Sequence, residues 1–161
     1  MRFSKVRNVK NPEYGTLGSA GIDFFVPNDL KEHHLLPGED LLIPSGIKME
    51  IPKGYMLMGA DKSGVATSSI ACLRAGRKPK ADAFPSSVVI GAKIIDEDYQ
   101  GEIHIHVINV GLNVIYIKPG MKIAQFILVP VTHALLEEVP ENELFNFEST
   151  RGDGAFGSTN K

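Results

Sequence analysis

The chain has 161 residues, 43% of them hydrophobic and none of them Trp, which is enough for one domain with a real core and too short for two ordinary ones. A formal net charge of −2 excludes a global basic field that would attract nucleic acid or an anionic membrane, so no stable nucleic-acid binding is expected and any phosphate binding must be local. The single Cys72 excludes an internal disulfide framework. With no apolar signal-peptide core and no run of about 18 apolar residues, a soluble protein of the cytoplasm is expected, or of the nucleus or host cytoplasm were the source viral.

In chain order, the first notable segment is Ser19-Ala20-Gly21-Ile22-Asp23, where Asp23 lies inside an otherwise apolar run and needs a partner for its charge. Apolar, β-branched runs then cover residues 41–43, 47–51, 55–58, 88–95, 103–110, 114–117 and 123–131. Pro37-Gly38, Pro52-Lys53-Gly54 and Pro119-Gly120 punctuate them as turns. This spacing predicts an all-β sandwich or barrel. Within it, Ile103-His104-Ile105-His106-Val107 alternates with period two, so His104 and His106 share the less apolar face of a half-buried strand. A short helix is expected after Ser63-Gly64, through residue 71. Residues 73–87 carry Arg74, Arg77, Lys78 and Lys80 among Gly and Pro, the composition of an exposed loop. The domain is expected to span residues 1–139, with a flexible Gly-rich arm over 140–161.

Three polar clusters suggest chemistry. Lys62-Ser63-Gly64 offers a cation, a hydroxyl and a permissive backbone, all useful to a phosphate. The segment from Asp96 to Glu102 packs four carboxylates into seven residues, which makes either a solvated acidic turn or a group that holds a water or a water-coordinated Mg2+. In the tail, Arg151 can fork onto phosphate oxygens, Phe156 is a plate for stacking on a base, and Gly157, Ser158 and Thr159 offer amides and hydroxyls. For His104 and His106 as metal ligands, no third ligand is placed by spacing.

Taken in order, these segments resemble the five motifs of the trimeric dUTPase family over nearly the whole chain. The first is Ala20-Gly21-Ile22-Asp23, the second Lys62-Ser63-Gly64-Val65-Ala66, and the third runs from Gly91-Ala92-Lys93 through Asp96-Glu97-Asp98-Tyr99-Gln100-Gly101-Glu102. Lys122-Ile123-Ala124-Gln125-Phe126 resembles the fourth, and the tail from Arg151 to Thr159 the fifth. The resemblance implies a jelly-roll-like β barrel assembling as a homotrimer whose active sites each take motifs from all three subunits. It also implies Mg2+-dependent hydrolysis of dUTP to dUMP and pyrophosphate.

By the same resemblance, Asp96 is the general base for water attack at the α-phosphorus, and Tyr99 packs under the deoxyribose. Backbone groups of the stretch from Ile103 through His104 to Asn109 would read the uracil edge. Lys62, Ser63, Gly64, Gln125, Arg151, Gly157, Ser158 and Thr159 would hold phosphates, Phe156 would stack on uracil, and Asp23 would act near Mg2+ through water.

The chain departs from the family pattern in several places. Asp61-Lys62 replaces the usual Pro-Arg, which keeps a cation but loses the guanidinium fork. Lys93 and Ala155 replace usual glycines. Ser63 and Asp96 are 33 positions apart, longer than usual, so residues 73–87 look like an insertion. The related dCTP deaminases place a catalytic Glu three residues before the Asn. Here that position holds His106, which argues against deamination.

Overall fold

The computed structural model describes residues 1–66, 88–111 and 114–154. The expected loop over 73–87, the distal part of the expected helix, and Ala155, Phe156, Gly157, Ser158 and Thr159 lie outside the described residues. The chain divides into two units, Met1–Val131 and Thr132–Lys161.

All three expected turns form, and for one reason. Gly38, Gly54 and Gly120 have φ of 81°, 80° and 76°, a region where a side chain is strained. Each closes a four-residue turn: the N–H groups of Glu39, Tyr55 and Met121 donate to the carbonyls of Leu36, Pro52 and Lys118.

Among the described residues of the first unit, the regular structure is strand apart from one short helix. In chain order it runs β1 (Phe3–Lys5), β2 (Glu13–Tyr14), β3 (Gly21–Phe25), β4 (His33–Leu35), β5 (Asp40–Pro44), β6 (Ile47–Met49), β7 (Tyr55–Asp61), α1 (Ser63–Ala66), β8 (Val88–Ile90), β9 (Ile94–Ile95), β10 (His104–Asn109), β11 (Ile115–Ile117) and β12 (Lys122–Pro130). The largest sheet has the order β2-β3-β12-β7-β9, and a second has β5-β10-β8; β1 pairs with β6 and β11 with β4. This is the expected all-β, jelly-roll-like barrel with one short helix. Its core holds Phe24, Leu35, Leu57, Ile105, Ile115 and Phe126, each at most 1% exposed, with the Phe24 and Phe126 rings 4.6 Å apart. β10 alternates as its sequence predicts, with Ile105 and Val107 buried and His104 and His106 half-buried on the other face.

Two differences from the sequence reading bear on the site. The run 88–95 is not one strand: Gly91 N–H donates to the His106 carbonyl at 2.8 Å, and two residues later the Lys93 carbonyl accepts from Gly59 N–H at 2.7 Å. The chain thus passes from β10 to β7, and position 91 suits glycine because any Cβ there would collide with the His106 ring. On β12 the register slips: Lys122 faces Phe25 but Ala124 faces Phe24, so Ile123 is the extra residue of a β-bulge.

In the second unit a single 3-10 turn covers Glu141–Glu143. The Phe145 and Phe147 rings meet edge to face at 6.2 Å, and Arg151 Nε donates to the Gly154 carbonyl at 2.7 Å.

Candidate functional site

Asp23 is the buried centre of the first polar cluster. Only 3% exposed on β3, it accepts Lys62 Nζ on Oδ1 at 2.8 Å and Lys122 Nζ on Oδ2 at 2.7 Å. Burial alone would push this carboxyl up, but the hydrogen bonds from Lys122 and Lys62 outweigh it and hold the group below its ordinary value. Lys122 is raised in turn, chiefly by its bond to Asp23.

The bulge is what makes this possible. With Ile123 in place, strict alternation from Gln125 would turn Lys122 to the opposite face; because of the bulge, Ile123 and Ala124 both point inward and Lys122 shares the face of Asp23 and Gln125.

Gln125 stands opposite Asp23 in register and donates to the Asp61 carbonyl at 2.9 Å. Its carboxamide lies where a Cβ on Gly21 would be, so Gly21 leaves room for it. Asp61, the residue that stands where the family has Pro, serves the fold: its Oδ1 accepts Ile90 N–H at 2.7 Å.

A second cluster surrounds a cavity of about 200 Å³ lined by Leu42, Ala92, Ile94, Ile95, Asp96, Tyr99 and His104. Asp96 is exposed just beyond β9, where the chain turns so that Tyr99 N–H reaches the Asp96 carbonyl at 3.2 Å. Leu42 and Ile94 are 55% and 53% exposed there, an apolar mouth suited to a flat ring. The Tyr99 hydroxyl donates to the Glu102 carbonyl at 2.8 Å, and His104 Nδ1 donates to the same oxygen at 2.8 Å. The Tyr99 ring lies over Gly101, where any Cβ would collide with it.

Of the sequence-predicted residues, the structure thus brings Asp96, Tyr99 and His104 together in one place and Asp23, Lys62 and Gln125 in another. Ser63 and Gly64 open α1 beside Lys62. Ile103 and Asn109 point inward: Ile103 N–H donates to Ile47 and its carbonyl accepts from Ser45. The Asn109 carboxamide donates to the Leu35 carbonyl at 3.0 Å and accepts from Gly111 N–H at 3.0 Å. Their side chains support β10. Among the described residues, the strand's backbone edge is open at His104, beyond the last rung with β8, where Gly91 meets His106. Arg151 is exposed in the second unit.

Sequence reasoning missed Lys122, whose placement depends on the bulge, and the grip of Arg7 on Glu102. The two clusters are also well separated within one chain. Ile95 pairs with Leu57, four residues along β7 from Asp61, which is roughly 13 Å at about 3.3 Å per residue.

Two clusters of this kind on an all-β barrel, one of paired cations and an amide and the other an apolar slot with an exposed carboxylate at its mouth, suit a nucleotide-binding protein of the hydrolase kind. The dUTPase family model matches residues 7–160, and the chain belongs to that family. It is 40% identical over 148 residues to the deoxyuridine 5'-triphosphate nucleotidohydrolase of Chlamydia pneumoniae, covering 92% of this chain and 89% of that one. It is 35% identical to the enzyme of the same name from Brucella melitensis, over 99% of this chain and 90% of that one. Among solved structures, the dUTPase of Staphylococcus bacteriophage 80alpha with dUpNHpp shares the fold at a TM-score of 0.75 and 24% identity, covering 98% and 96% of the two chains. The dUTPase from phage phi11 of S. aureus, described with a structural Mg(II) ion, matches at 0.67 and 22% over 87% and 96%.

Proposed function

We propose that the protein hydrolyses dUTP to dUMP and pyrophosphate with Mg2+, in the cytoplasm, in sites shared among three identical subunits. Such a reaction limits uracil incorporation into DNA and supplies dUMP for thymidylate synthesis. The observation that carries the reading is the joining of Asp96, Tyr99 and His104 on one apolar-mouthed cavity.

Uracil enters between Leu42 and Ile94 and meets the open backbone edge at His104, while the sugar rests on Tyr99. Asp96 takes a proton from a water whose oxygen attacks the α-phosphorus. The bond from that phosphorus to the bridging oxygen breaks, and pyrophosphate leaves.

Reach supports sharing of the site. The attacked phosphorus must lie within hydrogen-bonded reach of a water on Asp96, on the order of 3 Å per contact. Lys62 and Gln125 of the same chain lie roughly 13 Å or more along β7, so a second copy is the source of the phosphate-holding groups. The arm carrying Arg151, Phe156, Gly157, Ser158 and Thr159 then closes the site from a third.

The residues present fit a Mg2+ that arrives on the triphosphate. Both Asp23 oxygens already hold lysine ammonium groups, at 2.8 and 2.7 Å, so Asp23 would not ligate the ion directly and any part it took would run through water. Mg2+ commonly keeps several waters and binds largely through substrate phosphates. When bound it neutralises phosphate charge.

The test is pyrophosphate release from the purified protein with Mg2+, offered dUTP, dCTP, dTTP and UTP in parallel. Release from dUTP alone is expected, with no dUTP formed from dCTP. Equal release from UTP, or none from dUTP, would overturn the reading.

A further inference from the structure

We propose that Arg7 and Glu102 are positioning residues for the nucleoside pocket, acting through the peptide carbonyl of Glu102. This inference rests on the assignment of Tyr99 and His104 to that pocket. The Glu102 carbonyl is a hub, because the Tyr99 hydroxyl and His104 Nδ1 both donate to it at 2.8 Å. A carbonyl only accepts, so the neutral His104 ring carries its proton on Nδ1 and keeps a lone pair on Nε2. The orientation of two pocket side chains, and the tautomer of one, thus depend on how firmly one peptide group is held.

The same residue's carboxylate does the holding. Glu102 Oε1 accepts Arg7 Nε at 3.0 Å and Gly46 N–H at 2.7 Å, and the side chain is only 18% exposed. Arg7 is steadied in turn by Asp29, which its Nη1 meets at 3.4 Å. Gly46 is tied to the same N-terminal stretch, since its carbonyl accepts Val6 N–H at 2.8 Å. The stretch passes so close that a Cβ on Gly46, whose φ is 75°, would stand 3.0 Å from Arg7 Cβ and 2.9 Å from Val9 Cγ1. Arg7, which does not line the cavity, therefore sets the stance of Tyr99 and His104. A charge-assisted pair fixes direction as well as distance, and its loss acts on substrate fit rather than on the base, Asp96.

Arg7→Ala should raise KM for dUTP about tenfold while kcat stays within about twofold, the pattern of lost uniform binding. Preference for dUTP over UTP should fall by a similar factor, because the Tyr99 ring no longer closes on the sugar. Arg7→Lys should restore part of both effects. Glu102→Gln keeps the side chain's size while removing its charge, so it should move both numbers in the same direction by less, and it serves if Arg7→Ala folds poorly. A loss of kcat at unchanged KM, or no change in either, would overturn the proposal.

Ring 15N shifts of His104 give a readout independent of turnover. The native protein should show the Nδ1-protonated tautomer and Arg7→Ala a mixture; an unchanged tautomer in Arg7→Ala would also defeat the proposal. Absence of dUTP hydrolysis by the native protein would sink the enzymatic reading and leave this second readout to decide the positioning claim.

Discussion

Lys62 and Asp23 lie 39 residues apart in sequence and meet at 2.8 Å, so the cation expected to receive a phosphate is already held by a carboxylate. Asp23 is buried while Lys62 and Lys122 keep 29% and 31% of their side-chain surface. Removing the negative charge leaves two ammonium groups facing each other, partly relieved by water. Asp23→Asn should therefore destabilise the protein by roughly 2–3 kcal/mol near neutral pH, below the value for fully buried pairs because the lysines are partly wet.

The pH dependence of that difference has a definite sign. The folded carboxyl sits below its unfolded value, so its contribution is complete above about pH 4 and is lost as pH falls through the lower folded value. Lys122 is shifted the other way, so its share is complete below about pH 10 and is lost as pH rises through its raised folded value. Urea unfolding of native and Asp23→Asn protein should show a gap that is constant between those limits and narrows below about pH 4. A gap that persists into acid would contradict the pairing.

Asp96 is exposed and its side chain serves the reaction in this reading rather than the fold. Asp96→Asn should keep the native thermal midpoint and lower kcat by about 10²–10⁴, the range for losing a general base. Near-native turnover would remove Asp96 from that role.

Gly101→Ala places a methyl group where the Tyr99 ring now lies. The ring sits near the surface, 43% exposed, so it can swing away at little expense to stability. The expected result is a nearly unchanged midpoint with weakened choice between dUTP and UTP, read as the ratio of their kcat/KM values. A large fall in stability with intact selectivity would show that the ring packs for the fold alone.

The proposed sharing of sites among subunits makes a prediction about mixtures. Asp96→Asn and Gln125→Ala proteins, each nearly inactive alone, should regain a fraction of native turnover when unfolded and refolded together, because some sites then draw an intact residue from each parent. Recovery no greater than the sum of the separate activities would place both residues in one chain's own site.

Much of the fold was legible because turns and alternation are local signals. Pro37-Gly38 and Pro119-Gly120 announce the left-handed glycine that closes each turn, and His104 to Val107 announces a two-faced strand. The strands β1, β2 and β4 were not legible, since Phe3–Lys5, Glu13–Tyr14 and His33–Leu35 are short and mostly exposed and carry no periodic pattern. The partition of 88–95 was hidden for another reason: Ile94 and Ile95 look like a continuation of Val88–Ile90, and only the structure shows Gly91 bonded to His106 of β10 while Lys93 is already bonded to Gly59 of β7.

At the site, the acidic stretch ending at Glu102 revealed Asp96 as a candidate but gave no hint that Glu97 reaches the Gly54 amide or that Glu102 reaches Arg7. Those carboxylates are spent on the scaffold. Charge content alone does not separate structural acids from reactive ones; only their partners do.

The bulge at Ile123 places the Lys122 charge by the count of residues and not by their kind. Straightening the bulge with Ile123 kept would aim the lysine toward the hydrocarbon interior, whereas dropping Ile123 would restore strict alternation and leave Lys122 opposite Phe25 on the face of Asp23. Scanning this strand one substitution at a time would find Ile123 an ordinary core residue. A single-codon deletion there would remove the bulge and one buried side chain yet keep the Lys122–Asp23 pair, so the bulge is the device by which the strand absorbs an extra residue without losing its clamp.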